Sequence, residues 1–325
     1  MAMLHGELIE LETQILTDYY VAYEEKQKAY VNEISMDIDT WGGTVVVPIP
    51  LGSPNWKPWL NGFDLSEPKT ELLQLKNTPK QIGLSLSWED YSRAVKSGNS
   101  AMVDTHVTQF AGRVGNLSRG EAVDALERGE AVPIPLTGGE MFFGTNHRLD
   151  GGKPYDSLVP FSLASFPCQI HGSPTLPSLE EFAWLVMYGI MHMMTAENDK
   201  GDRVNDDVME FTVVVPLAYA AIAGTVATKA TFQNDISNPV IANGYKINVH
   251  VEILLSWTDT FFIGAADGGI APFAKTTEQA PELYTFVGKT SETATLARRN
   301  MYLAFASSSF GYVHPMRCVK VQVGA

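Results

Sequence analysis

The residue types that could do chemistry are few and badly spaced for it. His147 stands near Asp150, and His192 lies in a methionine-rich stretch, so either could ligate a metal. Neither belongs to an HExxH or a comparable ligand spacing. Asp199, Asp202, Asn205 and Asp206 sit close together as in a calcium loop, but the EF-hand order of acids, glycine and closing glutamate is absent. They read as a solvated loop. The glycine pairs at 138–139 and 268–269 are followed by no Gly-Lys-Ser/Thr and lack the GxGxxG form. No GxSxG elbow is present. The cysteines, Cys168 and Cys318, lie 150 positions apart with no CxxC, which reads as two reduced thiols. Met187, Met191, Met193 and Met194 read as core filler, and His106 as a packed or partly exposed side chain. The expectation is no catalytic, cofactor or metal site.

Composition excludes other classes. The chain has 325 residues, 45% hydrophobic, enough for one large or two modest cores. Its formal net charge of −14 argues against gripping nucleic acid, which needs a basic face. Lining a container of nucleic acid needs none. No charged-then-apolar leader is visible, and no apolar run reaches the length of a membrane span. This predicts folding in a cytoplasm.

The elements around these residues are clearest in the middle of the chain. Ser178-Leu179-Glu180-Glu181 after Pro177 is a capping-box helix start, and Leu179, Phe182, Val186, Ile190 and Met193 follow at helical spacing. Phe211–Val215 reads as a buried strand closed by Pro216. A helix follows over 217–228. Lys246 to Trp257 alternates as a half-buried strand, with Ile247, Val249, Val251 and Ile253 against Asn248, His250 and Glu252. Together they predict a helix–strand–helix–strand layer.

Towards the N-terminus, residues 7–30 read as an amphipathic helix with Leu8, Leu11, Ile15, Tyr19 and Tyr23 on one stripe. It packs either on its own domain or on a neighbour. Residues 38–87 read as two long strands joined by an aromatic loop, a hairpin arm that cannot stand alone. Its tip carries Trp56, Trp59, Leu60 and Phe63 among Pro54, Pro58 and Gly62. An aromatic ligand platform lacks converging polar groups there; the apolar tip needs a covering surface, either intramolecular or on another subunit, and the expectation adopted is a subunit contact. Val103, Val107, Phe110, Val114 and Leu117 mark a long helix, and Ser118-Arg119-Gly120-Glu121 reads as a second capping box. Gly138–His147 reads as a turn, a short strand and a polar end, 148–176 as loop, Thr260–Gly264 as a strand, and Ser307–Ser309 as a polar turn between two terminal strands.

The order of these features resembles the major head subunit of Mu-like phages, within the Hong Kong 97 capsid fold. The resemblance is carried by Trp56–Phe63, then Ser87–Tyr91, Gly139–Phe143 with Asn146-His147, and the helix–Val213-Val214-Val215-Pro216–helix unit. Thr260–Ile263, Pro272-Phe273, Pro281–Leu283 and Gly311–Val323 complete it. Arg148 departs from the family, which tends to place a proline there. The resemblance implies an α+β fold with an N-terminal arm (1–37), an E-loop hairpin (38–87), a peripheral domain with a spine helix (88–172 and 270–325) and an axial domain (173–269). It implies a tailed-phage or prophage major capsid protein that self-assembles, as hexamers and pentamers, into an icosahedral shell around double-stranded DNA. Such a protein needs no cofactor and no membrane. It implies separate scaffolding, portal and decoration proteins, assembly in the host bacterial cytoplasm, and location in the virion. Helical patterning close to Met1 leads us to expect no large removed N-terminal segment. Lys57, Lys69 and Lys76 lie in the hairpin, where some relatives form covalent cross-links, but nothing marks one as activated, so an uncross-linked shell is expected. The rival readings are an encapsulin-type compartment, which shares the fold, and a metal-dependent hydrolase using His147.

Overall fold

A computed structural model describes residues 29–39, 44–50, 70–87, 101–134, 139–148, 152–162, 176–198, 201–231, 237–267, 270–286 and 298–324, with the single positions 17, 19, 21, 89, 292 and 296. The centre is a five-stranded sheet built from β5 (Leu158–Phe161), β6 (Glu210–Pro216), β7 (Lys246–Glu252), β8 (Thr260–Ala265) and β11 (Cys318–Val323), in the order β5-β11-β8-β6-β7. β6 and β7 are parallel, so the chain between them must cross over. It does so through a 3-10 turn (Leu217–Tyr219) and two helices, α5 (Ala220–Val226) and α6 (Pro239–Ala242).

The expected helix α4 runs Leu179–Met193, and both halves of its capping box are formed by Ser178 and Glu181. Its apolar stripe packs on one face of the sheet, where Phe182, Val186 and Ile190 meet Val213, Val215, Ile263, Val319 and Val321. Gly189 allows the close approach, since a Cβ there would lie 2.5 Å from Ile263 Cδ1. Met187 and Met193 fill this core as expected, but Met191 is exposed. Alternation along the strands sends Val214, Phe262 and Cys318 to the opposite face.

A second, four-stranded sheet has the order β1-β9-β10-β4, from β1 (Ser35–Asp39), β4 (Thr78–Ser87), β9 (Phe273–Phe286) and β10 (Arg299–Tyr312). Helix α2 (Ala101–Gly115) packs on it through Val107, Phe110, Ala111 and Val114 against Leu86, Tyr302 and Ala304. Tyr19, the described position on the N-terminal stripe, is buried in this cluster beside Phe110, so at that point the segment packs on its own chain. The four-stranded sheet and the five-stranded one share a third cluster, built from α1 (Ala29–Ile34), α3 (Leu117–Arg128) and Phe142, Phe143, Phe273 and Met316.

Several expectations are corrected. Ser118 does not cap a helix: α3 starts at Leu117 after a break at Asn116, and Glu121 instead meets Lys80 and Ser308. Among the described residues 139–147 there is no strand, only isolated bridges from Met141 to Pro133 and from His147 to Tyr155. Their aromatic pair, Phe142 and Phe143, is core. The supposed loop 148–176 contains β5, whose Pro160 hid it. A proline is tolerated there because β5 is an edge strand. Ser307–Ser309 is no turn but the middle of β10, where register irregularities absorb the polar run. β7 ends at Glu252 rather than Trp257.

Candidate functional site

The aromatic tip read as the subunit contact, Trp56, Trp59, Leu60 and Phe63, lies outside the described residues. Its stem is described. β2 (Thr44–Pro50) and β3 (Thr70–Lys76) pair antiparallel from Thr44↔Lys76 to Pro50↔Thr70. At roughly 3.3 Å per residue this carries the chain about 20 Å from its foot. The foot is fixed. Leu75 is buried over Gly311, where any Cβ would collide with it, and Asn77 is buried with its Oδ1 accepting from Thr276 Oγ1. That anchored break at Asn77 sends β3 into the arm and β4 into the four-stranded sheet.

Behind the arm lies a buried polar junction. Glu252, fully buried at the end of β7, accepts from Arg119 Nε at 2.8 Å and Nη2 at 2.6 Å, from Tyr30 Oη at 2.9 Å and from the Leu254 N–H at 2.9 Å. Burial pushes its carboxyl up, but the Arg119 guanidinium, the Leu254 N–H and the Tyr30 hydroxyl outweigh burial and hold it below the ordinary carboxylate value. Burial, reinforced by Glu252, drives the Tyr30 phenol far up. Beside it Glu33 accepts from Thr212 Oγ1 at 2.6 Å and meets His250 Nε2 at 2.9 Å. At His250 and Glu252 the polar face of β7 therefore meets α1.

At the other end of α3, Glu127 Oε1 accepts from Ser256 N at 2.7 Å, and Glu130 Oε1 pairs with Lys320 Nζ at 2.6 Å. Lys320 is buried beneath the Trp257 ring, 4.2 Å from its centroid, and burial pulls its ammonium below the ordinary lysine value. Arg317 donates to the carbonyls of Ile270 and Val204 and to Asn205 Oδ1, at 2.8, 3.1 and 3.1 Å.

The side chains read for chemistry are placed in the core or apart. His147 is fully buried with Nε2 2.8 Å from Ser157 Oγ, and burial lowers its affinity for a proton. Asp150 is outside the described residues. His192 meets the Asp156 carbonyl at 2.7 Å and stacks on Tyr155. Asn205, read as part of a solvated loop, is buried and donates to the Met193 and Met316 carbonyls. Asp199 is outside the described residues, and His106 is exposed. Cys318 is buried, and burial pushes its thiol well up, away from reactivity. Cys168 lies outside the described residues. Among the described residues no three His, Cys, Asp or Glu side chains gather as a metal site would require. Sequence reasoning missed Tyr30, Arg119 and Glu252, which are separated by up to 222 positions and carry no local signature.

The fold as a whole aligns with solved capsid and virus-like-particle structures. The chain aligns with a virus-like particle from Pyrococcus furiosus at a TM-score of 0.52 and 10% identity, covering 94% of this chain and 96% of that one. The chain has the Hong Kong 97-type capsid fold. This α+β capsid fold also relates it to the procapsid of bacteriophage JBD30, at a TM-score of 0.52 and 10% identity over 98% of this chain and 75% of that one. The mature capsid of bacteriophage PhiM1 matches at 0.51 and 11% identity, over 91% and 87%. No protein-family model and no curated protein matches the chain.

Proposed function

We propose that this chain is the major capsid protein of a tailed bacteriophage or prophage, self-assembling into an icosahedral head shell that encloses double-stranded DNA. The observation that carries this reading is the fold correspondence with the mature capsid of bacteriophage PhiM1, over 91% of this chain and 87% of that one. Two further features support it. The β2–β3 arm is a separate two-stranded ladder on an anchored foot, and a two-stranded hairpin is marginal without a further surface to pack on. Leu217, Ile253 and Leu254 stand 64%, 60% and 50% exposed at one end of the parallel pair β6–β7, where apolar area gains by burial between copies. Heterologous contacts between such surfaces generate rings and closed shells.

In this reading residues 1–37 are the arm, 38–87 the E-loop, 88–172 and 270–325 the peripheral domain and 173–269 the axial domain, with β5 and β11 lent to the axial sheet. The tip residues Trp56, Trp59, Leu60 and Phe63 contact a neighbouring copy. Membership of the Mu-like group rests on the order of sequence features. Scaffolding, portal and decoration proteins are separate partners, DNA is enclosed without sequence-specific contacts, no cofactor or catalysis is invoked, and assembly takes place in the bacterial cytoplasm. Electron microscopy of the expressed protein tests the proposal. Closed shells or ring-shaped capsomers support it, whereas a population of isolated monomers at every concentration rejects it. A cellular compartment shell of the same fold would instead co-purify with a cargo enzyme, which mass spectrometry of the particles would detect.

A further inference from the structure

A cavity opens between α3 and the four-stranded sheet. On β10 the bulky Tyr302 packs against α2, and Tyr312 Oη donates to the Ala125 carbonyl of α3 at 3.0 Å. Between them Ala304, Ala306 and Ser308 bring little bulk to the helices. The helical cover is also broken there, since α2 ends at Gly115 and α3 begins at Leu117, beside Ala304 and Ala306. What remains is a cavity of about 310 Å³, with α3 as one wall, β10 as its floor and the start of β4 as the opposite wall. That volume is at the lower end of the range for small-molecule sites.

Its charges balance, because Glu121 and Asp124 line it together with Lys80 and Arg128. A ligand with a net charge gains from one pair and loses to the other, so the lining favours a neutral ligand or a zwitterion. The Glu121 side chain is only 10% exposed. Its Oε1 takes Lys80 Nζ and, at 3.1 Å, Ser308 Oγ, whereas its Oε2 is buried with no hydrogen-bond partner among the described residues. A buried carboxylate oxygen without a donor is costly and rare in folded proteins. At the rim, Arg128 Nη2 lies 3.9 Å from Asp124 Oδ2, too far for a hydrogen bond, and both side chains are mostly exposed. The site thus offers an acceptor inside, with an acceptor and a donor fork at the rim. The Thr78 and Ser309 hydroxyls can act as either. The half-buried rings of Phe310 and Tyr312 add apolar surface to the floor.

We propose that this cavity is a carbohydrate site that takes one pyranose ring. A pyranose is neutral, carries hydroxyls on adjacent carbons that both donate and accept, and has an apolar C–H face. One hydroxyl donates to Glu121 Oε2, a neighbouring pair spans Asp124 and Arg128, and the C–H face lies on Phe310 and Tyr312. Hydrogen bonds to ionised partners are the stronger kind, so the rim charges carry a large share of the affinity. An amino-acid zwitterion matches the rim charges but sets an ammonium beside Lys80. The site belongs to the single subunit and stands whether or not the subunits build a phage head.

Saturation-transfer NMR on the full-length protein tests this. The probes are the methyl glycosides of glucose, galactose, mannose and N-acetylglucosamine, with free lysine as the zwitterionic control. At least one glycoside receives saturation and lysine does not. Asp124→Ala and Arg128→Ala, both at exposed positions, each weaken that glycoside about tenfold or more, the factor expected for a hydrogen bond to a charged group. Arg113→Ala, in the separate apolar recess on the other side of Lys80, leaves binding unchanged. Thermal unfolding midpoints of the three variants stay at the parental value, which keeps a loss of binding apart from a loss of fold. Absence of saturation for all four glycosides overturns the proposal. Binding that survives unchanged in Asp124→Ala and Arg128→Ala also overturns it, because the sugar would then sit elsewhere, as does a preference for lysine over every glycoside.

Discussion

Arg119 and Glu252, 133 positions apart, meet through two nearly parallel N–H···O bonds inside the protein, with Arg119 Nη2 2.6 Å from Glu252 Oε1. Fork-to-fork pairing of this kind is the strongest form of the ion pair, and the surroundings leave Glu252 no water to fall back on. Removing one member of a buried pair costs more than the pair contributes, because the survivor stays charged in a medium that cannot solvate it.

Arg119→Ala therefore destabilises the subunit by about 3–5 kcal/mol, seen as a lower midpoint in urea unfolding. The depressed carboxyl of Glu252 adds a pH signature. Its contribution is complete above the unfolded carboxylate value and is lost as pH falls through the lower folded value. The gap between parent and variant accordingly narrows in strong acid. A gap of constant size across the acid range contradicts this assignment.

Two buried histidines make the fold acid-sensitive at milder pH. Burial, with the Arg317 charge and His147 nearby, pushes His314 down to about 3, and burial lowers His147 as well. A group with a depressed histidine value contributes stability that is present above about 6.5, the unfolded value, and declines as pH falls below it, because the unfolded chain takes up the proton first. His314 alone accounts for about 2 kcal/mol between pH 7.5 and pH 5. Thermal unfolding followed over that range drops in midpoint for the parent, and His314→Gln flattens the slope. A parental midpoint independent of pH contradicts the prediction.

The hairpin tip is expected to act between copies. Each large apolar side chain is worth roughly 1.5–3 kcal/mol when buried, so burial of Trp56 and Trp59 on a neighbouring copy would favour assembly. Changing both to Ser leaves the thermal unfolding of the isolated subunit nearly unaltered and weakens or abolishes shell formation. A much lower monomer midpoint, or normal assembly, would show that the tip is not the anchor.

The shell is expected to be held without covalent bonds between chains. Lys76 ends β3 as an exposed residue, and an exposed lysine on a two-stranded edge is ordinarily a solubilising charge. Assembled particles boiled under reducing conditions then run as a single band on a denaturing gel. A ladder of multimers would overturn this expectation.

What the sequence determined by itself is what depends on near neighbours along the chain. The Ser178–Glu181 capping box, the β-branched run closed by Pro216, the alternating Lys246–Glu252 and the aromatic cluster between two extended runs each carry their signal within a dozen residues. Helix capping, strand period and turn chemistry act at that range. The order of these signals was enough to suggest the capsid fold. Tertiary structure decided the rest, because it depends on partners far apart in sequence. Pro160 and Ser307–Ser309 look like breakers, yet both lie in strands, one at a sheet edge and one paired with β4 on one side and β9 on the other. Asn205 looks solvated but satisfies two buried carbonyls. Glu252 looks like the water-facing member of an alternating strand and becomes the most enclosed charge of the junction. Periodicity reports which face of a strand is polar, whereas burial is set by whatever packs on that face, here Tyr30 and Arg119 brought in by α1 and α3.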